Sequence, residues 1–125
     1  MAQNILYVED EDFFANIISK QLTNAGFTVE TREDGESGLK AAEDGAFDLI
    51  FLDLILPKLG GFDVLQKLKE NEATKNIPVI ILSNLSSDED KKKAKELGAE
   101  KFCLKMSTYP QQVVQIAQEI LGSNT

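Results

Sequence analysis

Residues Phe47–Gly61 read Phe-Asp-Leu-Ile-Phe-Leu-Asp-Leu-Ile-Leu-Pro-Lys-Leu-Gly-Gly, and this stretch decides the fold. Leu49–Leu52 is an unbroken apolar run, too short for a comfortable helix and bounded by polar and breaker residues. Such a run reads as a strand buried on both faces, as in the middle of a parallel sheet. Asp53 follows at the point where the strand leaves the sheet. Leu54–Leu56 continues apolar, and Pro57 with Gly60-Gly61 forces a loop before the chain turns helical again. Open α/β sheets place their ligand chemistry at the carboxyl ends of central strands. Asp53 is therefore the first candidate functional residue.

Working outward, four more segments read as strands. Ile5–Val8 is apolar and runs into four acids, Glu9-Asp10-Glu11-Asp12. Thr28–Thr31 is short and of mixed polarity, which suits a sheet edge. Val79–Leu82 ends at Ser83, and the segment Lys101–Lys105 holds Phe102-Cys103-Leu104. Between and after them the apolar residues recur at helical spacing. Phe14, Ile17, Ile18, Leu22 and Ala25 mark the first helix, and Leu39 and Ala42 a second over Glu36–Glu43. Gly61–Asn71, the charged Asp88–Leu97 and Tyr109–Leu121 complete the set. Strand and helix alternate five times without a linker or repeat, which predicts a three-layer α/β sandwich around a parallel sheet. One domain over residues 1–125 is expected, with nothing appended.

Composition narrows the chemistry. At 42% hydrophobic and 27% charged the chain is an ordinary globular sequence. It holds no apolar run near the roughly 18 residues that span a bilayer, so no membrane insertion is expected. The net charge of −8 repels nucleic-acid phosphates and argues against direct DNA binding. A single cysteine, Cys103, points to a reducing, cytoplasmic home. With no histidine, any chemistry must run on carboxylates, lysines and hydroxyls.

The ends of the strands supply those groups. The first ends in Glu9-Asp10, the third in Asp53, the fourth in Ser83 and the fifth in Lys105. In a parallel sheet these ends share one edge, so residues far apart in sequence converge. Crowded carboxylates repel unless a cation neutralises them, and hard oxygen ligands select Mg2+ or a similar ion. Lys105 and Ser83 suit phosphate oxygens, and a carboxylate can serve as nucleophile to form an aspartyl phosphate. Taken singly, Glu9–Asp12 is a helix-start charge cluster, Ser83 a turn residue and Lys105 a surface lysine. Convergence on one edge makes them a site.

With these residues in hand, the chain resembles the receiver domain of two-component response regulators over essentially its whole length. The matching elements are Glu9-Asp10, Asp53 in Asp-Leu-Ile-Leu-Pro-Lys-Leu-Gly-Gly, Ser83 after Pro-Val-Ile-Ile-Leu, and Lys105. The resemblance implies a flavodoxin-like (βα)5 fold with strand order 2-1-3-4-5. It implies that Asp53 accepts a phosphoryl group from a sensor histidine kinase or a histidine phosphotransfer protein, and that a downstream effector protein reads the change. It implies Mg2+ held by Asp10, Asp53 and the Ile55 carbonyl, with Glu9 acting through water. Ser83 would be the switch hydroxyl, Phe102 the switch aromatic and Lys105 the counter-charge to phosphate. Such a domain catalyses only its own phosphorylation and dephosphorylation, and is not a metabolic enzyme.

Three departures stand out. The family usually carries proline after the lysine, and here the residue is Met106. A trans Lys105–Met106 bond is expected, because a cis bond without proline costs about 2.5–4 kcal/mol. That bond gives a route to displacing Lys105, and with it the alternative of a degenerate receiver, a phosphorylation-independent interaction module. The acidic pair is Glu-Asp rather than Asp-Asp. Ile55 and Leu85, two residues beyond Asp53 and Ser83, are apolar and cannot position a hydrolytic water, so slow self-dephosphorylation is expected. A haloacid-dehalogenase-type phosphatase would want a second aspartate where Ile55 stands, and a phosphate cradle would want glycine where the chain has Glu9–Asp12. Phe102 reads more safely as a core aromatic than as a switch, Phe13 as partly exposed beside the acids, and Lys91–Lys95 as a solvated face.

Overall fold

The computed structural model describes residues 2–85 and 87–122. Five strands, β1 (Asn4–Val8), β2 (Thr28–Arg32), β3 (Leu49–Leu52), β4 (Val79–Ser83) and β5 (Lys101–Leu104), alternate with five helices. The helices are α1 (Asp12–Asn24), α2 (Gly35–Asp44), α3 (Gly61–Glu70), α4 (Asp88–Glu96) and α5 (Pro110–Leu121). All strand pairs are parallel, in the order β2-β1-β3-β4-β5, as the resemblance implied. No helix among the described residues is long and apolar enough to cross a membrane.

The two-residue period of the strands divides the core. Ile5, Tyr7, Leu49, Phe51, Ile80 and Leu82 face α1 and α5, packing with Ile18, Leu22, Val113, Ile116 and Ala117. Leu6, Val8, Ile50, Leu52, Val79 and Ile81 face the other way, against Ala41, Ala42, Val64, Leu65, Leu68 and Ala94. β3 is apolar at every position, and β4 as far as Leu82, because both faces are covered, whereas β2 at the edge is mixed.

Element ends differ from the sequence reading where side chains bond to the backbone. Asn71 was expected inside the third helix but ends it. Its amide oxygen accepts from Ala73 N at 2.9 Å, and its carbonyl accepts from Thr74 and Lys75. The fifth strand stops at Leu104, and Lys105 opens a short 3-10 turn, Lys105–Ser107. Tyr109 caps the last helix instead of starting it, with Pro110 at the first helical position.

The register aligns the strand ends that matter. Val8 pairs with Leu52, Leu52 with Ile81 and Ser83 with Leu104. The ladder continues one residue further as Asp53 N donates to Val8 O at 3.1 Å. Gly61 closes the loop beneath Asp53. A Cβ there would overlap the Asp53 carbonyl and Leu54 Cα, and its N–H donates to Leu54 O at 3.0 Å.

Candidate functional site

Glu9, Asp53, Ser83 and Lys105 meet at this edge, each no more than 3% exposed. Ser83 Oγ donates to Asp53 Oδ1 at 2.7 Å, and Ile55 N donates to the same oxygen at 3.0 Å. Lys105 Nζ lies 2.8 Å from Asp53 Oδ2, 3.0 and 3.1 Å from the two oxygens of Glu9, and 2.9 Å from Glu11 Oε1. The ring of Phe14 covers the ammonium, with the nitrogen 4.7 Å from its centroid. Asp10 is exposed beside the cluster, and Glu9, Asp10, Glu11 and Asp53 each offer a carboxylate oxygen within 4.8 Å of the others.

Electrostatics follow from that crowding. Burial alone would pull the Lys105 ammonium down, but hydrogen bonds to Asp53, Glu11 and Glu9 outweigh it and hold its pKa above the usual lysine value. Burial pushes Glu9 up, against the Lys105 hydrogen bond, and the charge of Asp53 pushes the same way. Three carboxylates share one ammonium, so the cluster keeps surplus negative charge. All four carboxylates are hard oxygen donors close enough to share a small divalent cation, and the site therefore fits Mg2+.

Lys105 is not displaced by the residue that follows it. No peptide bond among the described residues is cis, so the Lys105–Met106 bond is trans, yet the ammonium stands within the cluster. Met106 N donates to Asn84 Oδ1 at 3.0 Å and Thr108 Oγ1 to Leu104 O at 2.8 Å, which ties the turn down on both sides. Proline, lacking an N–H, could not make the first of these bonds. Ile55 turns its side chain outward, 53% exposed, and Leu85 N reaches Ser83 Oγ at 3.4 Å. Phe102 is half-buried on the α4 side of the sheet and takes no part in the polar network. Phe13 is 69% exposed, edge-on to Phe14.

Sequence reasoning missed two members of the network. Glu11 was absorbed into the charge at the start of the first helix, although its carboxylate pairs with Lys105. Tyr7 was read only as part of an apolar run, but its hydroxyl donates to Glu9 Oε1 at 2.9 Å. Residues two apart on a strand share a face, and a tyrosine two before a buried glutamate was the available signal.

An open parallel sheet with a buried carboxylate, hydroxyl and lysine at its carboxyl edge, flanked by further acids, defines a class of signalling domain. The chain belongs to the response regulator receiver domain family, which its residues 5–118 match. It is 34% identical over 112 residues to the transcriptional regulatory protein CusR of Escherichia coli, an alignment covering 90% of this chain and 48% of CusR. The response regulator ArlR of Staphylococcus aureus is 36% identical over 101 residues, 81% of this chain and 45% of ArlR. The chain thus spans about half the length of the curated relatives it matches. Among solved structures, chemotaxis protein CheY4 of Vibrio cholerae superposes with a TM-score of 0.88 at 28% identity, covering 96% of this chain and 99% of that one. The receiver domain of a sensor histidine kinase of Pseudomonas aeruginosa, solved with a magnesium ion in its active-site cleft, gives 0.88 at 26% identity, covering 98% of this chain and all of that one (100%).

Proposed function

We propose that this receiver domain is a phosphoacceptor switch and that Asp53 carries the phosphoryl group. A carboxylate oxygen of Asp53 attacks the phosphorus of a phosphohistidine on a sensor kinase or phosphotransfer protein. The new P–O bond forms as the P–N bond breaks, and the imidazole nitrogen leaves with the bonding pair. Lys105 and the Ser83 hydroxyl, already on the two oxygens of Asp53, are placed to follow charge onto the transferring oxygens. Asp10, Asp53 and the Ile55 carbonyl would hold Mg2+, with Glu9 reaching it through water. When bound, the ion neutralises charge on the transferring group.

The observation that carries this reading is Lys105, buried and 2.8 Å from Asp53 in spite of Met106. Met106 is the one feature that favours a phosphorylation-independent docking module, and the lysine beside it keeps its place in the cluster. Phe102, half-buried in β5, fits the aromatic that moves with Ser83, and the changed surface would dock a downstream effector protein. A cytoplasmic setting belongs to the same reading, supported by the single cysteine, Cys103, which is free and buried.

The test is incubation with acetyl phosphate and Mg2+ followed by intact-mass measurement. A phosphoryl adduct is expected, lost in Asp53→Asn and in a metal-free sample. A folded chain that binds Mg2+ and gains no adduct would overturn the reading.

A further inference from the structure

Glu9 is saturated with donors. Its Oε1 accepts from Tyr7 Oη at 2.9 Å and Lys105 Nζ at 3.0 Å, and its Oε2 accepts from Lys105 Nζ at 3.1 Å and Glu11 N at 3.2 Å. A carboxylate has about four lone-pair sites, so none remains. The lysine is stretched the other way. Its three N–H groups serve contacts to Glu9, Glu11 and Asp53 at once. A group placed on Asp53 that draws Lys105 toward it leaves Glu9 with two donors, the Tyr7 hydroxyl and the Glu11 N–H.

Tyr7 is built to stay. It is fully buried in the middle of the sheet, paired in register with Phe51 and edge-on to that ring at 6.4 Å between centroids. Phenylalanine would fill the same space. The hydroxyl is the one part of the side chain that packing does not explain, and Glu9 is its hydrogen-bond partner. A buried phenol kept beside a carboxylate is worth its desolvation only where the hydrogen bond is made.

We propose that Tyr7 is a positioning residue for the cation site, its hydroxyl holding Glu9 at the rim of the acidic cluster while Lys105 exchanges between Glu9 and the group on Asp53. This rests on the phosphoacceptor reading above and goes beyond it, because it gives a residue inside the sheet a part in cation binding. Groups that orient a carboxylate around a metal without touching the metal commonly matter as much as this.

The test is Mg2+ affinity by titration calorimetry on the full chain, for wild type, Tyr7→Phe, Glu9→Gln and the double variant. Tyr7→Phe is expected to weaken Mg2+ binding about tenfold while keeping a cooperative melt. In the Glu9→Gln background the same change should add nothing. Tyr7→Phe binding within about twofold of wild type, the additivity error of such cycles, would overturn the inference. So would an equal loss in the Glu9→Gln background, which would assign the effect to packing. Wild type that binds Mg2+ and is phosphorylated on Asp53, with Tyr7→Phe matching it, sinks this inference alone. Wild type that binds no Mg2+ sinks the reading it rests on as well.

Discussion

Lys105 Nζ stands 2.8 Å from Asp53 Oδ2, both residues buried, across 52 residues of sequence. The same ammonium also serves Glu9 and Glu11, so it offsets part of the negative charge of the acidic edge when no other cation does. Lys105→Met keeps the bulk and removes the charge. Breaking a buried pair this way costs about 3–5 kcal/mol, because Asp53 and Glu9 are left without a counter-charge. The variant should melt well below wild type in chelator and recover much of the difference in Mg2+. Equal midpoints in chelator would count against the lysine as the neutralising group.

The apolar pair beside Asp53 and Ser83 should give the proposed Asp53 adduct a long lifetime. Ile55 is 53% exposed and Leu85 half-buried, and neither carries a polar atom in its side chain to hold an attacking water. Ile55→Asn and Leu85→Glu should each shorten the lifetime of the Asp53 adduct several-fold, followed by intact mass after the phosphodonor is removed. An unchanged lifetime in both would remove the idea.

Gly61 supports Asp53 from below. Any Cβ there meets the Asp53 carbonyl and the Leu54 backbone, atoms that cannot move without dragging the strand end. Gly61→Ala should therefore destabilise the fold by about 1–3 kcal/mol, the usual cost of overpacking. Urea denaturation reads this directly as a lower midpoint with unchanged slope. Gly60→Ala is the control, since only the far end of the Asp63 side chain lies near a Cβ there.

Alkaline pH should destabilise the metal-free protein. Burial, then the charge of Glu9, raises the Tyr7 phenol. For Lys105 the bonds to Asp53, Glu11 and Glu9 overcome burial and raise the ammonium. Both groups have folded pKa values above their unfolded ones, so the fold favours the protonated forms. Their contribution is complete below about pH 10 and is lost as pH rises from there through the folded values. Melts in chelator between pH 8 and pH 11 should show the decline, with a shallower one in Tyr7→Phe. A flat profile in wild type would contradict the sign.

Much of the architecture is legible in local pattern. Leu49–Leu52 and Val79–Leu82 are apolar at every position because a central parallel strand has no solvent face, and the mixed Thr28–Arg32 marks the edge. Alternation with helices then orders the carboxyl ends on one side, which is why Asp53, Ser83 and Lys105 could be singled out before any coordinates. Helix ends were less legible. Asn71 closes α3 through bonds from residues beyond it, and a helical repeat of apolar residues carries no trace of that.

Local sequence by itself determined the strands, their burial and the list of groups at their ends, because apolar period and chain direction are properties of neighbouring residues. Tertiary structure alone decided how those groups share charge. That Lys105 divides itself among Glu9, Glu11 and Asp53 and that Asn84 secures Met106 are contacts between segments brought together by sheet register. Hydrogen bonds act only over about 3 Å, so partners 22 to 96 residues apart are settled by packing, not by pattern.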